Sequence, residues 1–340
     1  MPSMIAVPTG WLSIAVLIAT LAPFMQEPKY RERQVLDPQE GEWVDQPVVP
    51  ETGAPAGELD EARRLIAEGQ PGKARPLLKK WIQENPDSER IDEAEFLIGE
   101  TYFETKDYWR AVEKYQLVAD STSGELFNLA QGRCIDVARA FLAGEKRIVL
   151  YVLRLPAYDD GVEILDRVWQ RAPGSRLGEL ALRLRSDFFF ERGEMQIAQD
   201  EYANLARQYP SGRYVQLAMV RSAEAAEASF PGVPYDDQSL VDADERYRQL
   251  QDTFPALAAR ENAAARRDGI REKRAEKDLY VAQWYEKTRQ LDAAKFYYRR
   301  ILTDWPGTLG EAQARARLRA MGVESGLPGE ERGETQERGS

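Results

Sequence analysis

The chain has no histidine and a single cysteine, Cys134. One thiol cannot make an intrachain disulfide, and no Cys/His metal site can be assembled. The Ser-His-Asp and Cys-His nucleophile arrangements are excluded by the same absence. Asp and Glu are plentiful, so carboxylate chemistry is the catalytic class that composition leaves open. The paired acids Asp159-Asp160 and Asp236-Asp237 fall in breaks between predicted helices and read as turn and cap residues. The chain therefore reads as a non-enzyme with no cofactor and no metal. Cys134 follows a helical apolar pattern and reads as a small buried side chain.

Positive charge is also in deficit, with 46 Lys and Arg against 57 Asp and Glu and a net charge of -11. The excess acid sits at the flanks. Residues 27–61 hold ten acids and three bases, and residues 323–340 hold five acids and two bases. The part between is close to neutral. A nucleic-acid binder needs a basic face to displace counterions, so that partner class is not expected.

No charged side chain precedes Glu27, and Trp11 to Phe24 is nearly all apolar. About 14 residues suit a signal-peptide core, and the uncharged stretch from Met4 to Met25 is long enough for a bilayer of roughly 30 Å. Residues 1–26 thus read as a signal peptide or an N-terminal membrane anchor, with a buried helix of the fold as the plainer alternative. No Lys or Arg leads the apolar run, while Lys29, Arg31 and Arg33 follow it, so signal and anchor stay open. Residues 27–57, with five prolines, read as a disordered acidic linker. Residues 322–340 read as a disordered Gly/Glu/Arg tail.

Between the flanks, residues 58–321 read as helices parted by short Pro/Gly/Ser/Asp breaks. A fixed spacing recurs when the breaks are aligned on their prolines. Ala62, Leu65, Ala74, Leu78 and Pro86 are separated by 3, 9, 4 and 8 positions. Ser186, Phe189, Ala198, Tyr202 and Pro210 repeat those intervals, as do Ala282, Tyr285, Ala294, Tyr298 and Pro306. Gly99, Tyr102, Ala111 and Tyr115 keep the first three intervals and lack the proline. Partial copies end at Pro173 and Pro255.

The spacing has a packing logic. A small residue on each of two antiparallel helices lets them approach closely, and a large one three or four places away fills the groove beside the contact. One pair cannot bury its apolar stripe alone, so pairs stack. The pattern matches the 34-residue tetratricopeptide (TPR) consensus. It predicts an all-α, right-handed superhelical solenoid of about five helix-turn-helix repeats, with these residues as its packing positions.

Three departures from the spacing are candidate contact elements. Residues 146–156 form an apolar, β-branched run including Val149, Leu150, Tyr151, Val152 and Leu153. It reads as a docking or membrane-touching element, or as an elongated helix end packed on a neighbour. Residues 230–237 read as an inserted surface loop. Residues 260–277 carry Arg266, Arg267, Arg271 and Arg274 among alternating acids. That run reads as a docking face for an acidic partner, or as a solvated helix face laced with i,i+4 pairs.

The last unit carries a further likeness: Ala275-Glu276-Lys277-Asp278-Leu279-Tyr280-Val281-Ala282, Trp284-Tyr285, and Asp304-Trp305-Pro306-Gly307-Thr308. It resembles the BamD-like outer-membrane protein assembly family over roughly residues 58–320. The resemblance implies a non-enzymatic envelope scaffold facing the periplasm and associated with the outer or inner membrane. Its implied partners are a barrel-assembly component, bound through the C-terminal repeats, and unfolded outer-membrane precursors, bound through the N-terminal ones. The family is normally lipidated on a cysteine just after the signal. No such lipobox cysteine is present here, so membrane association would fall to the N-terminus or to a partner. A general periplasmic TPR adaptor for cell-wall or division machinery is the alternative reading.

Overall fold

The computed structural model describes residues 57–149 and 153–323, with the side chains of 148–154 excepted, together with the backbone of two short segments at 33–36 and 43–46. The signal or anchor at 1–26, most of the linker, Leu150, Tyr151 and Val152, and the tail from 324 onward lie outside the described residues.

Six helix pairs follow one another along the described chain. They are α1 (Glu58–Ala67) with α2 (Pro71–Glu84), α3 (Ile91–Glu104) with α4 (Tyr108–Ser121), and α5 (Glu125–Leu142) with α6 (Tyr158–Arg171). Then come α7 (Arg176–Glu191) with α8 (Met195–Gln208), α9 (Val215–Ala228) with α10 (Gln238–Thr253), and α12 (Ala263–Lys287) with α13 (Leu291–Asp304). A short α11 (Pro255–Arg260) precedes the sixth pair, and α14 (Leu309–Ala320) closes the array against α12 and α13. The all-α solenoid is as the spacing predicts, with one pair more than the five expected. The third and fifth pairs match the repeat only in their second helices, because insertions between the helices break the interval.

Each helix packs mainly on its neighbours in sequence, as a quasi-linear array requires. The small residues of the repeat are fully buried at these contacts: Ala62, Ala74, Ala111, Ser186, Ala198, Ala282 and Ala294. Gly99 shows why size matters, since a Cβ there would stand 2.7 Å from Cε1 of Tyr115. Leu78, Tyr102, Tyr115, Tyr202 and Tyr298 are buried, and Leu65, Phe189 and Tyr285 are half-buried.

Pro86, Pro210 and Pro306 are exposed, so they shape the chain rather than fill the core. The residue ahead of a proline is driven out of the helical region by its ring. The C-caps Asn85, Ala172, Tyr209, Phe254 and Trp305 all take φ between -134 and -125° and ψ between 51 and 69°. One dihedral setting therefore recurs at five pair boundaries.

A second regularity lies in the tyrosine hydroxyls. Tyr115 donates to Glu100 at 2.7 Å, Tyr202 to Asp187 at 2.6 Å, Tyr247 to Glu227 at 3.3 Å, and Tyr298 to Glu286 at 2.7 Å. Each bond ties the second helix of a pair to the first. Glu100, Asp187 and Glu227 directly follow Gly99, Ser186 and Ala226 in sequence. Where Leu78 and Leu165 replace the tyrosine, the first and third pairs pack without the bond. The spacing identifies the tyrosines as groove fillers and is blind to their carboxylate partners.

Two strand pairs break the helical order. Strands β1 (Arg33–Leu36) and β2 (Trp43–Gln46) pair antiparallel within the stretch read as linker, and β1 lies alongside α5. Val35 and Val44, both β-branched, are register partners in this short ladder. Strands β3 (Lys146–Val149) and β4 (Leu153–Pro156) pair antiparallel between α5 and α6. The elongated helix end considered for this run does not form, as its β-branched residues favour the pleated backbone.

Candidate functional site

The basic run sits on α12, at 25 residues the longest helix among the described residues. Five of its cations are engaged by acids of the preceding pair. Arg266 and Lys273 meet Glu227 at 3.3 and 2.8 Å, and Arg267 meets Asp244 at 2.8 Å. Arg274 and Lys277 both reach Asp237, at 2.8 and 3.0 Å. Arg271 donates to the Pro306 carbonyl at 2.9 Å. Neither sequence reading anticipates this arrangement, in which the pairs run between helices instead of along one. Four arginines singled out as a docking face thus join the fifth pair, the sixth pair and the loop before α14. Burial pushes the Asp237 carboxyl up, but the hydrogen bonds from Arg274 and Lys277 outweigh it and hold the group below its usual range.

The inserted loop at 230–237 is tied down by that same aspartate, which stands at the N-cap of α10. Asp236 accepts a hydrogen bond from the Gln238 amide and so serves the turn, whereas the Asp237 side chain makes no cap bond and is engaged by Arg274 and Lys277. Tyr235 remains exposed in the loop.

At the β3–β4 insertion, Arg147 lies over the Trp109 ring at 3.4 Å and meets Asp160 at 3.3 Å. It clamps the strand pair to α4 and α6. Leu155 is exposed at the edge of β4. Val149 and Leu153 are register partners in the ladder.

Cys134 is buried on α5, where desolvation pushes its thiol up to about 12. Arg133, its neighbour, forms a buried pair with Glu100 at 2.8 Å and also meets Asp136 at 3.1 Å. Among the described residues no cluster of His, Cys, Asp or Glu has the makings of a metal site. No helix among them is long and apolar enough to cross a membrane.

The surface feature that the spacing did not flag lies on the sixth pair. Tyr280 and Trp284, one turn apart on α12, are 47% and 50% exposed, and Phe296 on α13 is 62% exposed. Leu291, opening α13, is half exposed as well. The aromatic rings form a row across the two helices. Trp284 meets Tyr285 edge-on at 5.0 Å, Tyr285 stacks on Tyr297 at 5.1 Å with a 10° interplanar angle, and Phe296 meets Tyr297 edge-on at 5.4 Å. Rings so locked lose little freedom on contact with a partner. The signal was available: Trp284 and Phe296 fall beside the repeat positions Tyr285, Ala294 and Tyr298, on faces the packing does not use.

Residues 189–333 match the family model YfiO, described as outer membrane lipoprotein. The match runs from the end of α7 through α14 and takes in the aromatic row. No curated protein matches the chain. Among solved structures, a Podosopora anserina putative kinesin light chain with nearly identical TPR-like repeats is similar at 14% identity, over 60% of this chain and 94% of that one, with a TM-score of 0.32. A second structure of that light chain is similar at 15% identity, over 58% and 94% of the two chains, with the same TM-score. From the end of α7 onward the chain is thus similar to the outer membrane lipoprotein family, and its described helices form TPR-like pairs along their length.

Proposed function

We propose that the protein is a non-enzymatic scaffold of the cell envelope that binds partner proteins in outer-membrane β-barrel assembly. The observation that carries this reading is the coincidence of two spans. The family similarity covers residues 189–333, and the exposed aromatic row lies at 280–297 within it. Exposed, pre-ordered aromatics are the residue types that dominate protein–protein contacts. A carboxylate enzyme would need a raised carboxyl group free to exchange protons in a cleft. Among the described residues burial raises the Asp136 carboxyl, but Arg133 engages it at 3.1 Å within the packing of α5. The single thiol, Cys134, is buried in α5 too, so lipidation on a cysteine is closed to the folded described chain. In this reading the N-terminal segment or a partner attaches the protein to the envelope.

The test is affinity capture from native membranes in mild detergent, with mass spectrometry of the bound fraction. Enrichment of a barrel-assembly component by the full-length protein is the expected result. Recovery of soluble cell-wall or division enzymes in its place would transfer the scaffold to that machinery. Recovery of neither by a correctly folded bait would remove the assembly role.

A further inference from the structure

We propose that the aromatic row of the sixth pair is a docking site for an acidic protein segment that carries bulky apolar side chains. The proposal rests on the scaffold reading and deepens it, by naming the chemistry that the scaffold recognises.

Charge around the row makes the argument. Lys287 continues the Tyr280–Trp284 stripe along α12, Arg289 stands in the turn, and Lys295 and Arg299 flank Phe296 on α13. None of these four cations has an ion pair or side-chain hydrogen bond among the described residues. The α12 cations a few turns earlier differ: Arg266, Arg267, Lys273, Arg274 and Lys277 are engaged by acids and Arg271 by the Pro306 carbonyl. The nearby acids are Asp292, in the first turn of α13, Glu276, one turn before Tyr280, and Asp278, which accepts from the Trp305 indole; Glu286 is already held by Arg317. The rim is therefore net positive on a chain whose overall charge is -11. An anionic segment gains Coulomb energy at this rim and is repelled by the acidic flanks at 27–61 and 323–340, so charge favours this site.

The row itself favours protein over lipid. Insertion into a bilayer needs apolar bulk and no fixed ring order, whereas the stack of Tyr285 on Tyr297 fixes both neighbouring rings in place. Rigid rings suit anchor side chains that seat between them. Asp292 beside Leu291 would oppose an anionic membrane at the same spot. The net negative charge of the chain opposes it too.

The experiment is selection of a random twelve-residue peptide library on phage against the full-length protein. Selection against the Trp284→Ala/Phe296→Ala variant runs in parallel. Both substituted side chains are exposed, and circular dichroism confirms that the variant is folded. Enriched peptides should be net negative and hold at least one aromatic or large aliphatic residue. A synthetic peptide from the enriched set should lose about thirtyfold in affinity on the double variant. It should lose roughly tenfold on Lys287→Glu/Lys295→Glu at low salt, with recovery when its own acids are made basic. Enrichment without acidic bias, or affinity unchanged in the double variant, would overturn the proposal and leave the scaffold reading standing. Co-sedimentation with phosphatidylglycerol vesicles that vanishes in the double variant would assign the row to lipid and equally overturn it.

Discussion

Removing one hydroxyl, Tyr298→Phe, isolates the bond that ties α13 to α12. Tyr298 is fully buried, so phenylalanine keeps the packing and deletes only the donor to Glu286. A hydrogen bond to a charged group contributes about 1.5–3 kcal/mol. Glu286 keeps its bond from Arg317 and is 21% exposed at its side chain, so solvent screening reduces the loss to about 1–2 kcal/mol. In a stacked array the loss should stay local, because each pair contacts only its neighbours. Amide exchange should rise roughly 5- to 30-fold in α13, α14 and the end of α12, with α1 to α6 unchanged. The pH dependence has two arms. Desolvation and the bond to Glu286 push the Tyr298 hydroxyl up to about 12. Its contribution is thus complete below the free-tyrosine value near 10 and is lost as pH rises towards 12. Burial pushes the Glu286 carboxyl up, but the Arg317 and Tyr298 bonds outweigh this and lower it. Its contribution is present above the free-glutamate value near 4.3 and is lost as pH falls through the lowered value. The variant should flatten the alkaline arm. A uniform rise in exchange along the whole array, or an alkaline arm unchanged in Tyr298→Phe, would refute the reasoning.

Other substitutions test separate links. Gly99→Ala places its Cβ 2.7 Å from Tyr115 and should destabilise by about 1–3 kcal/mol in urea melts. Gly269→Ala meets nothing within 4 Å on α12 and should stabilise by about 0.5–1 kcal/mol. Asp237→Asn removes the carboxylate shared by Arg274 and Lys277 and should cost about 1–2 kcal/mol. The acid is lowered in the fold, so the cost, followed by thermal melts against pH, should shrink as pH falls below about 4. Cys134, its thiol held up to about 12 by burial, should resist an aromatic disulfide reagent at about pH 8 until guanidinium unfolds the chain.

The array was legible in the sequence because its contacts are local. Two helices that touch at Ala282 and Ala294 must place small residues twelve positions apart, and that interval survives in a linear string. The third and fifth pairs were less legible, since insertions at 146–156 and 230–237 move the partner helices out of step. The ion pairs of α12 were hidden for a related reason. Arg267 with Asp244, and Lys273 with Glu227, are 23 and 46 positions apart, outside any helical period. A run of alternating charge reads as intrahelical lacing until the neighbouring pair is placed beside it.

The aromatic row shows how a repeat reveals function by what it does not use. The interval from Ala282 to Tyr285 and from Ala294 to Tyr298 accounts for rings that the fold buries or half-buries. It leaves Tyr280, Trp284 and Phe296 unassigned, and these are the rings the sixth pair exposes. Exposed large apolar side chains scattered singly would need no explanation. Here three rings and Leu291 fall within 17 residues of one pair, and a stacked tyrosine pair orders the rings on either side of it. The engaged arginines of α12 sharpen the contrast. Where cations serve the fold, acids from adjacent helices meet them; where Lys287, Arg289, Lys295 and Arg299 surround the rings, none among the described residues does. Stability gives no reason to gather unpaired like charges around exposed aromatics, because their mutual repulsion destabilises the free protein. A partner that brings opposite charge supplies the reason, and the rim that repels a like rim on a second copy draws that partner in.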